Sequence, residues 1–142
     1  MDRLIVVAQD GSGDFTSVGS ALAAAERLPP GDLVVLVREG VYFEKLRIAR
    51  PRLRLTGEGA SCSVIRHDDG ALRLLPDGQR MGTFNSYTLY VGAPGVRVLD
   101  LTIENSAGDG RAAGQAVALY ADADDLRFTR CAILGRQDTL FT

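Results

Sequence analysis

The residues with the clearest chemical potential lie at positions 135–140, where Gln137 and Asp138 directly precede an apolar pair. A carboxylate can exchange protons with a bound molecule, and an amide N–H can stabilise a developing negative charge. Successive strand residues point to opposite faces, so the two side chains need not project the same way. Asp138 is equally well suited to capping backbone amides in a turn. Both interpretations remain open from these residues alone.

A second amide precedes another apolar stretch. Gln115 comes directly before residues 116–119 and lies 137 − 115 = 22 positions ahead of Gln137. If one structural repeat has about that length, the two amides stack, and their parallel N–H groups can hold an oxyanion. An internal ladder of amides is the alternative for the same spacing.

Other polar segments carry weaker signals. The hydroxyl and amide groups at positions 83–86, Thr83 included, suit sugar hydroxyls or the closing of a turn. Residues 11–14 lack the Lys-Ser/Thr ending of a phosphate loop. Residues 67–69 and 122–125 lack the spacing of a calcium loop, so we expect solvated turns there and no metal site.

Composition limits the class of protein. The 142 residues carry 16 basic and 18 acidic side chains, for a net charge of −2, which suits one globular domain. The absence of a basic stripe argues against nucleic-acid binding. The longest apolar run, at 116–121, is far shorter than the roughly 20 residues of a membrane span. No secretory leader is visible, because positions 4–8 read as a strand.

Two cysteines, Cys62 and Cys131, lie 131 − 62 = 69 positions apart. This spacing supports neither a zinc cluster nor a redox pair. We expect buried free thiols, with a disulfide as the alternative.

One helix is predicted over residues 17–28. Its apolar stripe is Val18, Ala21, Leu22, Ala25 and Leu28, with Thr16 or Ser17 as the cap and residues 29–31 as the stop. The rest of the chain reads as short strands separated by Gly, Pro, Asp and Asn. These are residues 4–8, 33–38, 45–48, 53–56, 63–66, 71–74, 88–91, 96–104, 116–120 and 126–134.

An internal repeat decides between a sandwich, a barrel and a solenoid. Residues 90–105 align without gaps on residues 120–135, an offset of 120 − 90 = 30, with matches such as Tyr90 on Tyr120 and Ile103 on Ile133. Repeats of about 20–50 residues are typical of solenoids. Because each unit has β periodicity, we predict an all-β solenoid of the parallel β-helix type, closed at its N-terminal end by the helix.

Several motifs together resemble one known family, the pectin methylesterases (pectinesterases). They occur in order at residues 8–18, 38–44, 57–59, 83–86, 101–108, 114–119 and 135–140. The resemblance implies a right-handed parallel β-helix of the pectin lyase-like type with an N-terminal capping helix. It also implies hydrolysis of methyl-esterified galacturonate units of pectin, without a metal or organic cofactor, by a secreted or cell wall-associated protein.

The resemblance also implies roles for individual residues. Asp138 matches the acid/base, Gln137 and Gln115 match the oxyanion stabilisers, and Thr83 and Gln115 match substrate contacts. Pectin is the implied partner. Pectate lyases share the fold but use calcium, and the motif at 135–140 argues against them.

The motifs that carry the family's nucleophilic Asp and its Arg have no counterpart among the 142 residues. We therefore expect the N-terminal part of a pectinesterase domain, truncated at its C-terminal end and inactive alone. A non-catalytic pectin-binding or assembly fragment is the alternative. We also expect self-association, or pairing with the missing half, through an open end at Leu140 and Phe141.

Overall fold

The computed structural model describes residues 3–71, 73–82, 85–107, 116–135 and 140–141. Thirteen strands and one helix lie in these ranges. In chain order they are β1 Arg3–Val7, α1 Val18–Glu26, β2 Leu33–Val37, β3 Gly40–Phe43, β4 Leu46–Ile48, β5 Leu53–Gly57, β6 Ser63–His67, β7 Leu89–Val91, β8 Arg97–Leu99, β9 Thr102–Asn105, β10 Leu119–Ala121, β11 Arg127–Thr129, β12 Ala132–Leu134 and β13 Leu140–Phe141.

The strands form three sheets, and every pair of neighbouring strands is parallel. Sheet A has the order β1-β2-β5-β8-β11, sheet B β12-β9-β6-β3 and sheet C β13-β10-β7-β4. After β1 and α1, the chain visits A, B and C in turn four times, which defines coils 1 to 4. This is the parallel β-helix that the repeat predicted.

The strand register reproduces the sequence repeat residue by residue. Tyr120 pairs with Tyr90, Phe128 pairs with Val98, and Ile133 pairs with Ile103. The offset of 30 is therefore one turn of the solenoid, from coil 2 to coil 3 in sheet C and from coil 3 to coil 4 in sheets A and B.

Two predicted long strands are each divided by a corner. The segments 96–104 and 126–134 turn at Asp100 (φ 57°) and Arg130 (φ 51°), where the chain passes from sheet A to sheet B. These left-handed corners stack, and Arg130 Nε donates to Asp100 Oδ1 at 2.6 Å. The inward positions change phase at the first corner, from Val96 and Val98 to Leu101 and Ile103, and the prediction of one continuous strand missed this change.

The structure differs from the predicted strands at two further places, in sheet B and in the segment that follows β6. The strand β3 was not predicted, because the exposed positions Val41 and Phe43 are apolar and hide its alternation. The strand predicted at 71–74 is wrong over its described residues, where Leu74 forms only an isolated antiparallel bridge with Arg80.

The core is a stack of inward-facing apolar side chains. Val35, Leu55 and Val98 occupy matching positions of three coils and are fully buried. Phe128, their counterpart in coil 4, is only partly buried. Each coil is thus covered by the one stacked on it. Leu140 is exposed, whereas Leu119, with which it pairs, is buried. The expected association of the chain through this end stays a prediction.

The helix α1 packs over the N-terminal end of the stack. Val18, Ala21, Leu22 and Ala25 are buried, as the apolar stripe predicted. Ser17 rather than Thr16 is the cap, and its hydroxyl accepts a hydrogen bond from Ser20 N. The expectation of a buried Leu28 was wrong, since the helix ends at Glu26.

Two charged side chains that flank β4 hold opposite ends of α1. The Glu44 carboxylate accepts from Val18 N at 2.9 Å and from Gly19 N at 2.8 Å. The buried Arg50 guanidinium donates to four carbonyls at the other end, those of Ala25, Leu28, Pro29 and Gly31, at 2.6–3.0 Å. Both charges oppose the helix dipole, and together they satisfy backbone groups that a helix leaves unpaired.

Both cysteines are free, as expected, and the expectation that they are buried needs correction. Cys62 and Cys131 are half-buried, because each lies beside a corner rather than inside a strand of the core. Burial raises the pKa of the Cys131 thiol. Across the described ranges, no helix has the length and apolarity needed to cross a membrane.

Replacing Arg50 by Met is expected to lower the free energy of unfolding by about 2–4 kcal/mol. The substitution keeps the aliphatic stem but removes charged hydrogen bonds to buried carbonyls, each worth on the order of 1–3 kcal/mol with partial recovery through water. Urea denaturation measures the effect. The matched control is Arg27→Met at an exposed position, which is expected to cost less than about 0.5 kcal/mol. An equal loss of unfolding free energy in the two variants would contradict the stabilising role given to the hydrogen bonds of Arg50.

Candidate functional site

The four predicted site residues, Thr83, Gln115, Gln137 and Asp138, lie outside the described residues. Their places in the chain are nevertheless informative. Thr83 falls between β6 and β7, Gln115 between β9 and β10, and Gln137 and Asp138 between β12 and β13. All four therefore belong to the connection from sheet B to sheet C, here called the B-to-C turn, of coils 2, 3 and 4.

The strand register bears on the expected stacking of the two amides. Leu119 pairs with Leu140, so the coil advances by 140 − 119 = 21 residues at this point. That length is one less than the 22 residues that separate Gln115 from Gln137. The premise that one coil has about this length therefore holds, while the stacking of the amides stays a prediction.

The described base of the B-to-C turns is organised by Asn105, the last residue of β9. Its buried Nδ2 lies 2.7 Å from Asp69 O, 2.9 Å from Ser86 O and 3.1 Å from Val117 O. Its Oδ1 accepts from Ala107 N at 2.9 Å. Asn105 thus ties together both ends of residues 69–86, which include Thr83, and both ends of residues 107–117, which include Gln115.

Two hydroxyls reinforce the same base. Ser86 Oγ accepts from Val117 N at 3.1 Å, which links the B-to-C turns of coils 2 and 3. Thr88 Oγ1 donates to Glu104 O at 2.9 Å, and both hydroxyl-bearing residues are buried. The strand ends on which the predicted site depends are therefore joined by side-chain hydrogen bonds as well as by the sheet.

An ionic cluster lies beside this base. Asp69, with a side chain only 4% exposed, is held by Lys45 Nζ at 2.7 Å and by Arg73 at 2.6 Å. Lys45 also donates to Asn85 O and lies over the Tyr87 ring, 4.5 Å from its centroid. The expectation of a solvated turn at 67–69 is wrong for Asp69, because two cations stabilise its carboxylate inside the protein.

The same residues were considered as metal ligands. His67, Asp68 and Asp69 offer ligand atoms within 4.8 Å of one another. The Asp69 carboxylate, however, is already compensated by Lys45 and Arg73. A divalent cation would have to displace or face these two positive charges, so we assign no metal to the cluster. The carboxylates at 122–125 are exposed, in agreement with the expected solvated turn.

The outer face of sheet C carries a row of aromatic side chains next to the B-to-C turns. Arg47, Tyr90 and Tyr120 occupy matching positions, and Phe141 continues the register. The Arg47 guanidinium lies 4.6 Å from the Tyr90 ring centroid, and the Tyr90 and Tyr120 centroids are 5.1 Å apart, edge to face. We call Arg47, Tyr90 and Tyr120 the sheet C row.

The phenol hydroxyl of Tyr90 is also held in place by a hydrogen bond. Tyr90 donates to Asp122 Oδ2 at 2.6 Å, and this hydrogen bond raises the pKa of Tyr90. The row is an outer wall of rings on strands that follow B-to-C turns in the chain. Such a wall suits an extended polymer with apolar ring faces and polar edges.

A family model for pectinesterases matches residues 4–142. The chain belongs to the pectinesterase family. Probable pectinesterase 56 of Arabidopsis thaliana is 39% identical over 139 residues, which cover 96% of this chain and 46% of that protein. The pectinesterase of Daucus carota is 36% identical over 139 residues, which cover 96% of this chain and 41% of that protein.

Solved structures of pectin methylesterases share the fold. One, in complex with a hexasaccharide, has a TM-score of 0.86 and 32% identity over 96% of this chain and 44% of its own. The carrot pectin methylesterase has a TM-score of 0.84 and 34% identity over 97% of this chain and 41% of its own. The chain thus spans somewhat less than half the length of these relatives.

Sequence reasoning missed two features of the site's base. Asn105 was recognised only as part of the motif at 101–108, without a structural role. A signal for it existed, because an Asn that ends a strand before a long connection is well placed to bind its backbone. The ion pair between Asp69 and Lys45 joins residues 24 positions apart, and no local sequence pattern predicts such a contact.

Asn105→Ala is expected to lower the free energy of unfolding by about 2–4 kcal/mol, because it removes a buried donor to the carbonyls of Asp69, Ser86 and Val117. It should also speed protease cleavage within residues 69–86, whose two ends the Asn105 amide joins. Urea denaturation and limited proteolysis give the two measurements. The matched control is Asn85→Ala, whose exposed amide donates to Met81 O at 3.2 Å. Similar stability and cleavage for both variants would overturn the role given to Asn105.

Proposed function

We propose that the protein contributes to hydrolysis of the methyl esters of galacturonate units in pectin, with release of methanol. The observation that carries the proposal is topological. The chain belongs to the pectinesterase family, and its predicted site residues fall in the B-to-C turns of successive coils. Gln115 belongs to the turn of coil 3, and Gln137 and Asp138 belong to the turn of coil 4. In support of the proposal, the described strands that follow these turns, β7, β10 and β13, pair side by side.

Asp138 is the proposed acid and base. A nucleophilic carboxylate attacks the ester carbonyl carbon, and the bond to the methoxy oxygen breaks as Asp138 supplies a proton to the departing methanol. Asp138 then takes a proton from the water that cleaves the acyl-enzyme, which restores both carboxyl groups. The amides of Gln115 and Gln137 stabilise the oxyanion formed in each half of the reaction.

The nucleophile and an arginine are assigned by resemblance to motifs that have no counterpart among the 142 residues. The chain also spans under half of its relatives. The proposed reaction therefore belongs to a longer polypeptide or to an assembly that supplies these groups.

The polymer is proposed to lie along the sheet C row, with Thr83 and Gln115 as contacts. Stacked tyrosines offer flat apolar surfaces to sugar rings, and Arg47 offers a charge to carboxyl groups. Support comes from the related pectin methylesterase solved in complex with a hexasaccharide.

The 142-residue chain alone is expected to release methanol from methyl-esterified pectin at a negligible rate. The reason is the lack of a second carboxylate in the nucleophile's role. A methanol assay at several protein concentrations checks this expectation. Turnover at about 1 s⁻¹ or faster, a rate ordinary for enzymes, would contradict it. Pectin binding without turnover would support the alternative of a non-catalytic pectin-binding or assembly fragment.

In the full-length enzyme, Asp138→Asn is expected to lower kcat by about 10²–10⁴-fold, the usual contribution of a general acid and base. Gln115→Ala and Gln137→Ala are each expected to lower kcat by roughly 10²–10³-fold. Asp124→Asn is the matched control, because Asp124 is an exposed carboxylate in the solvated turn at 122–125. A near-normal kcat in Asp138→Asn would remove Asp138 from the mechanism.

A further inference from the structure

A row of arginines follows the outer face of sheet A, a different wall from the one that carries the sheet C row. Arg54 pairs with Arg97, and Arg97 pairs with Arg127, in coils 2, 3 and 4. Their strand neighbours Leu53, Leu55, Val96 and Val98 are buried, so the three guanidinium groups project outward. We call these residues the arginine ladder.

The arginine ladder is electrostatically unfavourable by itself. Neighbouring strands lie about 4.8 Å apart, and like charges directly opposite each other destabilise a sheet. Asp125 compensates Arg97, with Oδ1 at 3.0 Å and its carbonyl at 2.6 Å. Among the described residues, neither Arg54 nor Arg127 forms an ion pair. The two outer rungs of the ladder, Arg54 in coil 2 and Arg127 in coil 4, are therefore exposed positive charges in a chain whose net charge is −2.

A cleft of about 330 Å³ opens beside the ladder. Left-handed turn residues stack at the edge of sheet A, and Arg52 (φ 57°) brings a further guanidinium to the rim. Arg54 and Arg97 also line the cleft, together with the carboxylates of Asp32 and Asp125. Positive charge thus exceeds negative charge in a concave surface, which favours an anion over a neutral ligand.

We propose that the arginine ladder and this cleft bind the carboxylates of de-esterified galacturonan, the polymer that the reaction produces. This inference rests on the proposed function, since ester hydrolysis converts neutral units into a row of negative charges. A carboxylated polymer presents repeated acceptors that several guanidinium forks engage together. The surface thereby retains product stretches of a pectin chain while esterified stretches meet the B-to-C turns.

The test compares two variants of the full-length protein that each lose two positive charges. The ladder variant is Arg54→Gln with Arg127→Gln. The matched control is Arg27→Gln with Arg38→Gln, at exposed positions outside sheet A's ladder. Calorimetry with a de-esterified oligogalacturonate at low salt should show a three- to tenfold weaker affinity for the ladder variant, since each exposed ion pair contributes about 0.2–1 kcal/mol. The control should stay within about twofold of the unaltered protein.

Further measurements separate this inference from the proposed function. Added salt should weaken binding to the unaltered protein more than to the ladder variant. The kcat for a short, fully methyl-esterified oligogalacturonide should be the same in all three proteins. Equal oligogalacturonate affinity in the ladder variant and the control would overturn the inference even if esterase activity is present. If the ladder variant binds oligogalacturonate more weakly than the control but the unaltered protein has no esterase activity, the inference about the arginine ladder stands and the proposed function is overturned.

Discussion

Coil-on-coil pairing in register is the constraint on which the rest of this structure depends. Each coil has one inner face, and that face leaves water only when the neighbouring coil places matching apolar side chains against it. Val35, Leu55 and Val98 show this arrangement, as does the lower burial of Phe128 in coil 4. The helix α1 meets the same requirement at the other end, and the charges of Glu44 and Arg50 hold it there.

Register constrains the strands but leaves the connections free. In sheet A, matched residues are 53 − 33 = 20 and then 97 − 54 = 43 positions apart, although each step crosses a single coil. The extra length in coil 2 lies in the B-to-C turn between β6 and β7. A long connection with buried polar ends needs its own fixation, which Asn105 and the ion pairs of Asp69 provide. Rigid coils and variable turns together allow chemistry at one edge without disturbing the core.

The sequence was most informative where two coils have the same length. Tyr90 and Tyr120 aligned without a gap, and the structure pairs them directly. Corners at Asp100 and Arg130 were not predicted, although the buried positions change phase at the first of them, from Val98 to Leu101. Asp138 and Gln115 were identified by residue type and resemblance, whereas Asn105 acts through backbone contacts that local sequence does not encode. Long-range partners such as Lys45 and Asp69 emerge only from the fold.

The register that buries the core also places similar side chains next to one another at the outward positions of successive coils. On sheet C this repetition is favourable, since tyrosines at matching positions stack edge to face and Arg47 adds a cation–π contact. On sheet A it is unfavourable, since arginines at matching positions repel one another and, within the described part of the chain, Arg97 alone of the three pairs with a carboxylate. A row that stabilises itself needs no ligand to explain it. An anion that spans a row of like charges reduces the repulsion that Asp125 relieves only at Arg97, and so the arginine ladder points more strongly than the sheet C row to a bound polyanion.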